Sequence, residues 1–250
     1  MALFEVRGLE KAFGPNVVLD GLDLDIFDGE VVTIIGESGS GKSILLKAMM
    51  GLVEVDGGTI RFDGDQVTGQ TEREWVSTRQ RIGMLFQESA LFDSLSVFEN
   101  VAYALREQTS MTDEEISQRV AETLSLVALP GIEDMAPADL SGGMRKRVAL
   151  ARAVAVRPEI VFYDEPAEGL DPINVTRVNR LMLGLKKSLN VTSVVVTHNL
   201  KAAFAISDRL ALIHDGTVAA TGAPESFLES DDPVVREFIG DRMRKVLRAS

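Results

Sequence analysis

The chain of 250 residues carries 38 acidic against 26 basic side chains, a formal net charge of −12, and no cysteine. Disulfides and thiolate metal centres are thereby excluded, and the acidic balance speaks against a nucleic-acid binder, which would show a basic excess. The length and an apolar share of 45% allow one large α/β domain with a full core.

The N-terminus, MALFEVRGLEK, holds Glu5 and Arg7 and no apolar h-region, so it does not read as a signal peptide. No stretch approaches the roughly 20 apolar residues of a membrane span. Membrane association must go through a partner or the surface. Leu19, Leu22, Leu24 and Ile26 read as strand positions interrupted by a turn at Gly21. Val31–Ile35 is an all-apolar run, which predicts a strand buried on both faces. Behind it, GESGSGKS (Gly36, Glu37, Ser38, Gly39, Ser40, Gly41, Lys42, Ser43) fits G-x-x-x-x-G-K-[ST] and leads into the apolar helix ILLKAMMGL, which begins at Ile44. Strand, loop and helix in this order are what a phosphate-binding loop requires. Its glycines let N–H groups turn inward around phosphate oxygens, and the helix start adds partial positive charge. Lys42 would reach the β- and γ-phosphates and the Ser43 hydroxyl would ligate Mg²⁺. Met49 and Met50 read as core filler.

Gly58–Gly64 predicts a strand closed by a turn, Ile82–Phe86 a short strand, and Trp75 a half-buried helix anchor. Thr112 and Glu115 form a capping-box pattern, and Ile116, Val120, Leu124 and Val127 mark the face of the helix that follows. Ser141, in LSGGM, fits the N-cap of a further helix running to about Val156, where Arg157-Pro158 ends it. Gly142 and Gly143 leave N–H groups accessible there, so the chain has a second anion-binding helix start. A nucleotide held by a neighbouring chain would explain it, although Ser-Gly-Gly by itself is also an ordinary capped helix. Glu159–Tyr163 predicts a strand ending in Asp164 and Glu165. The first carboxylate suits Mg²⁺ and the second suits polarising a water. Ser193–Val196 predicts another strand, and Leu210–His214 with Thr217–Ala220 a hairpin about Asp215-Gly216. His214 is expected to be exposed, and Pro233–Ser250 to be helical and basic. Alternation of strands and helices implies an α/β fold with a mostly parallel sheet.

Taken together, these motifs resemble the nucleotide-binding subunit of ABC transporters from about residue 3 to 240. Gly36–Ser43 matches Walker A, Gln87 the Q-loop, Leu140–Met144 the signature, Ile160–Glu165 Walker B, Gly169-Leu170-Asp171 the D-loop and Thr197-His198 the switch histidine. The resemblance implies a P-loop NTPase (RecA-like) core with an antiparallel β subdomain and an inserted helical signature subdomain. Residues 1–87 and 158–232 would form the core, 88–157 the helical subdomain and 233–250 a helical tail, in one ABC ATPase domain. It also implies that ATP and Mg²⁺ are bound, with Phe13 stacked on adenine beside Val18, and Gln87 touching Mg²⁺ and the attacking water. Glu165 would be the general base and His198 would hold the γ-phosphate. A histidine after a strand, read without that resemblance, is more often structural. Two chains would close head to tail, each nucleotide lying between Lys42 of one and Ser141–Met144 of the other, with Asp171 contributing.

Several positions depart from the family pattern. Glu37 stands where proline is frequent and is expected to face solvent. Ile44 replaces a common threonine, Ala167 and Glu168 stand where Thr and a small residue are frequent, and Asn199 replaces Asp. Met144 replaces the signature Gln, which costs side-chain hydrogen bonds but leaves the backbone donors. LSGGM with its basic followers, the stretch Met84–Glu107 and Asp171–Ile173 are similar to the ATPases of Mla/MCE-type lipid transport systems. That similarity implies a role in phospholipid movement and a place on the cytoplasmic side of the inner membrane, held by an integral permease. A STAS-domain protein and an MCE-domain protein would be further partners, and no nucleic acid. Leu91, Phe92, Leu95 and Phe98 either form a groove for a permease helix, within Gln87 to Ala104, or belong to the subdomain core. The basic tail is either a solvated helix end or a membrane-facing or neighbour-facing one. A small-solute importer and a non-transport ABC protein are the rival functions.

Overall fold

The computed structural model describes residues 2–240. In chain order the first elements are β1 (Ala2–Phe13), β2 (Asn16–Phe27), β3 (Val31–Gly36), α1 (Lys42–Met49), β4 (Gly57–Phe62), β5 (Asp65–Gln66), α2 (Glu72–Gln80) and β6 (Ile82–Leu85). Then come α3 (Val97–Gln108), α4 (Asp113–Leu126), a 3-10 turn (Pro137–Asp139), α5 (Gly142–Val154), β7 (Ile160–Asp164) and α6 (Pro172–Leu189). The chain continues through β8 (Thr192–Val196), α7 (Leu200–Ile206), β9 (Arg209–His214), β10 (Thr217–Gly222), α8 (Pro224–Glu229) and α9 (Pro233–Ile239). Antiparallel and parallel sheets are both present, in the mixed α/β arrangement the sequence implies. The described residues fall into two compact units, 2–78 with 192–240, and 79–191.

In the first unit an antiparallel sheet runs β2-β1-β4-β5. Its inner face repeats every second residue: Phe4 and Val6 on β1, Leu22, Leu24 and Ile26 on β2, Ile60 and Phe62 on β4 are all buried. Phe4 lies opposite Phe62 and stacks on it, ring centroids 4.5 Å apart. Gly21 does not turn the chain, as its residue type suggests; β2 is one strand from Asn16 to Phe27, and Gly21, at φ +73°, sits within it. The β1–β2 ladder shifts register at several points, so a left-handed glycine is accommodated as an irregularity of the strand.

The parallel part of this unit places β3 between β8 and β9, with Ile34 opposite Val196 and Ala211. Every residue of β3 and β8 is buried, as continuous apolar runs in parallel sheets are. The β9–β10 hairpin turns at Asp215-Gly216, both at positive φ (46° and 73°), which suits a tight primed turn. Ile35, Leu210, Leu212, Phe227, Val235 and Ile239 pack into one apolar cluster, so α8 and α9 are docked by their apolar faces. Residues 241–250, the greater part of the expected basic tail, lie outside the described residues. Trp75 is buried, rather than half-buried, because its indole lies flat on Gly51, where an added Cβ would come within 2.1 Å of the ring.

In the second unit β6 and β7 pair in parallel, Ile82 opposite Ile160 through Leu85 opposite Tyr163. α5 lies directly on β6, and a Cβ on Gly83 would approach the Ala153 carbonyl to 2.4 Å. α3, α4 and α5 pack on one another through Val97, Val101, Leu105, Ile116, Val120, Leu124, Val148 and Leu150, all buried. α3 and α4 both open with full capping boxes, Ser96 with Glu99 and Thr112 with Glu115.

Candidate nucleotide site

The phosphate loop follows from how β3 ends. β3 delivers Gly36 into a space closed by neighbours: a Cβ there would sit 2.5 Å from the Ile213 carbonyl oxygen and 2.7 Å from Ser40 Oγ. Gly41, the N-cap of α1, is at φ +97°, and a Cβ on it would meet the Val18 carbonyl oxygen at 2.8 Å. α1 then begins with no side-chain cap and no acidic residue in its first turn, so its leading N–H groups point into the loop for an anion. Lys42 is buried and its ammonium donates to the carbonyls of Gly36 (3.0 Å) and Glu37 (2.6 Å). Ser38 and Gly39 are exposed, Ser43 and Ile44 half-buried, and Glu37 faces solvent as expected.

A cleft of about 240 Å³ opens beside this loop, lined by Asn16, Val17, Val18, Glu37–Ser40 and Ile213–Gly216. Val18 forms part of its wall. Phe13, half-exposed at the β1–β2 turn, has the Lys11 ammonium 5.2 Å from its ring centroid. His198 is exposed two residues beyond Val196, which pairs with Ile34, so it emerges at the same strand-end edge as the loop. Thr197 donates its N–H to Ile34 O at 3.3 Å, tying that corner to β3. Ligands of parallel α/β sheets bind at this edge. Asn199 does the capping work an aspartate would do: its Oδ1 accepts from Ala202 N at 3.1 Å and opens α7.

The second unit gathers the remaining motifs. β7 is buried along its length and ends in Asp164, also buried; Glu165 follows in the left-handed region at φ 45°. A non-glycine residue held there is uncommon. Ser141 N-caps α5, its Oγ accepting from Met144 N at 3.3 Å. Gly142 is open, and Gly143 lies against the Asn174 side chain, where a Cβ would come within 3.2 Å. Asp171 caps α6 by accepting from Ile173 N (3.0 Å) and Asn174 N (3.1 Å), and its second oxygen takes the Asn174 amide (2.6 Å). These bonds hold its carboxyl below the usual aspartate value, the Asn174 N–H contributing most. The signature turn and the start of α6 are therefore one local structure. Gln87 is gripped twice: its carbonyl accepts from the Lys146 ammonium, and its amide donates to Glu168 Oε2 at 2.5 Å.

Lys146, Asn100 and Arg152 are residues the sequence did not single out, and Glu168 stood out there only as a departure from the family pattern. Lys146 is buried, and burial lowers its pKa against the pull of Glu168, Asp164, Glu165 and Glu88. Arg152 donates to the carbonyls of Ala90 (2.7 Å) and Ser89 (2.9 Å). Two cations of α5 thus hold the Q-loop backbone at three carbonyls. Arg152 stands out in the sequence as a lone charge between Ala151 and Ala153, whereas Lys146 is hidden between Arg145 and Arg147. Leu91, Leu95 and Phe98 are half-buried and Phe92 is exposed, so this group stands at the surface and is not the subdomain core.

As to a cation, no cluster of three or more Asp, Glu, His or Cys among the described residues could form a protein cage. The Ser43 hydroxyl in the first unit, and the Gln87 amide and Asp164 carboxylate in the second, are each hard oxygen donors of the kind Mg²⁺ takes beside water and phosphate oxygens.

The loop, its lysine and the open helix start define a nucleotide-binding P-loop protein. Residues 19–168 match the family model for the ABC transporter. The intermembrane phospholipid transport system ATP-binding protein MlaF of Haemophilus influenzae is 40% identical over 237 residues, covering 95% of this chain and 90% of that protein. The probable ribonucleotide transport ATP-binding protein mkl of Mycobacterium leprae is 39% identical over 238 residues, covering 95% of this chain and 69% of that protein. Against mkl of Mycobacterium bovis the chain spans 66% of the relative's length. A dimeric ATP-binding cassette solved in a post-hydrolysis state with ADP and Pi gives a TM-score of 0.81 at 30% identity, covering 88% of this chain and 98% of that one. The chain belongs to the ABC transporter family, whose cassettes bind ATP and characteristically hydrolyse it. Among the described residues no helix is long and apolar enough to cross a membrane.

Proposed function

We propose that this chain is the ATP-hydrolysing subunit of a transporter that moves phospholipid between the inner and outer membranes. The observation that carries the lipid reading is the 40% identity to a phospholipid system's ATPase along 90% of that protein's length. It works as a head-to-tail homodimer, peripheral on the cytoplasmic face of the inner membrane and held there by an integral permease. An MCE-domain and a STAS-domain protein complete the assembly.

Lys42 exchanges its two loop carbonyls for β- and γ-phosphate oxygens, and the N–H groups at the start of α1 take further oxygens. Phe13 and Val18 receive the adenine. Ser43, Gln87 and Asp164 would hold Mg²⁺, which would supply neutralisation of charge on the phosphates. Glu165 takes a proton from the attacking water, and His198 holds the γ-phosphate. Ser141–Met144 of the second chain close the site with the bare N–H groups of α5, and Asp171 keeps that turn in shape through α6. Leu91, Phe92, Leu95 and Phe98, outside the core, receive a permease helix.

Affinity purification of the tagged protein from native membranes, with mass spectrometry of its companions, tests the reading. Recovery of a permease, an MCE-domain protein and bound phospholipid is the expected result. A permease recovered with a soluble solute-binding protein would sink the lipid reading in favour of small-solute import.

A further inference from the structure

Glu168 lies where the family frequently carries a small residue, and none of the roles above uses it. Its carboxylate accepts from the Gln87 side-chain amide at 2.5 Å. The turn that places it is short: Glu168 N donates to Glu165 O at 3.2 Å, so the residue folds back beside the strand end. At neutral pH a carboxylate only accepts, so the atom facing it is Nε2 by chemistry. The backbone of the same glutamine is fixed by the buried ammonium of Lys146 on its carbonyl. With one end of Gln87 fixed through the main chain and its Nε2 claimed by an anion, Oε1 is the amide atom left to meet a ligand. Divalent cations of this class take oxygen, and an amide NH₂ turned toward one would repel it.

We propose that Glu168 is a positioning residue that selects the orientation of the Gln87 amide and so presents Oε1 to the nucleotide's divalent cation. The proposal rests on the Mg-ATP reading above. Glu168 touches neither the nucleotide nor the cation; it acts through Gln87. Removing the carboxylate frees the amide to flip and releases the rotamers of a flexible side chain, which predicts cation binding weaker by about three- to tenfold. Nucleotide binding without metal does not use this contact.

The test is a Mg²⁺ titration of wild type, Glu168→Ala and Glu168→Gln at a fixed concentration of a fluorescent ATP analogue, with the analogue's affinity also measured in EDTA. Glu168→Gln keeps a hydrogen-bonding partner but can donate as well as accept, so it loses the selection while keeping the tether. Both variants are expected to raise the Mg²⁺ concentration at half-saturation and to leave the EDTA affinity unchanged. An unshifted or lower half-saturation, or a Glu168→Gln variant that behaves as wild type, would overturn the proposal. Wild type that binds the analogue in neither condition would overturn the ATPase reading and this proposal with it.

Discussion

Replacing Asn100 by alanine should destabilise the second unit by a calculable amount. Asn100 is fully buried at the start of α3. Its Oδ1 accepts from Phe92 N at 2.9 Å, and its Nδ2 donates to the carbonyls of Phe92 (3.1 Å), Leu95 (3.1 Å) and Ser96 (3.0 Å). Two amide hydrogens serve three carbonyls, so the side chain makes the equivalent of three hydrogen bonds. At about 1 kcal/mol net for each, the loss is about 3 kcal/mol, reduced toward about 2 where the half-exposed loop can rehydrate. For a chain of this length that lowers the melting temperature by about 4–12 °C. Asn100→Asp is the sharper probe. It keeps the size and the bond from Phe92 N, yet turns an ionised oxygen toward three carbonyls. At pH 7 it should be less stable than the alanine variant by about 1 kcal/mol or more, and recover in acid as the buried carboxyl protonates. Denaturant unfolding of the three proteins at pH 7 and pH 5 reads both effects. An aspartate variant as stable as wild type at pH 7, or an alanine variant within about 0.5 kcal/mol of it, would refute the reasoning.

Gly41→Ala forces a Cβ to 2.8 Å from the Val18 carbonyl at φ +97°, a strain of about 1–3 kcal/mol. We expect ATP affinity, read by fluorescence titration, to fall about tenfold or more; an unchanged affinity would show that the loop tolerates a side chain there. Asp171 is held below its usual pKa of 3.8 by the α6 cap. A depressed folded-state pKa means that the cap's contribution is present above the unfolded value and is lost as pH falls through the lower folded one. NMR titration of its carboxyl should give a midpoint below 3.8, and a midpoint at or above that value would mean the cap bonds are not made in solution.

The phosphate loop, the acidic strand end, the capping box of α4 and the Asp215-Gly216 hairpin were legible because each is specified within a few residues. β1 was not, since besides its hairpin partner β2 it pairs with β4, far along the chain, and packing such as Phe4 on Phe62 helps fix that register. Gly21 misled for a related reason: a glycine in a strand and a glycine in a turn look alike until the partner strand is known. Trp75 was read as half-buried because its burial depends on Gly51, distant in sequence. Within the candidate site the motif residues could be named, but the groups that hold them could not. Lys146 reads as one of three basic residues in a row, and only the fold turns it inward to Gln87 while Arg145 stays exposed. Glu168 registered as a departure from a pattern; its partner lies 81 residues away.

The central claim is that two chains share each nucleotide, with the start of α5 in one completing the phosphate loop of the other. Its most direct test is the ATP-dependent dimer of Glu165→Gln, measured by size exclusion with light scattering, beside the double variant Glu165→Gln with Ser141→Arg. The account predicts that Glu165→Gln binds ATP without turning it over and accumulates as a dimer. Addition of Ser141→Arg, which places a bulky cation over the bare N–H groups of α5, should leave nucleotide binding intact and return the protein to monomer. A Glu165→Gln protein that hydrolyses ATP at the wild-type rate, or a double variant that dimerises with ATP as readily as the single one, would contradict it.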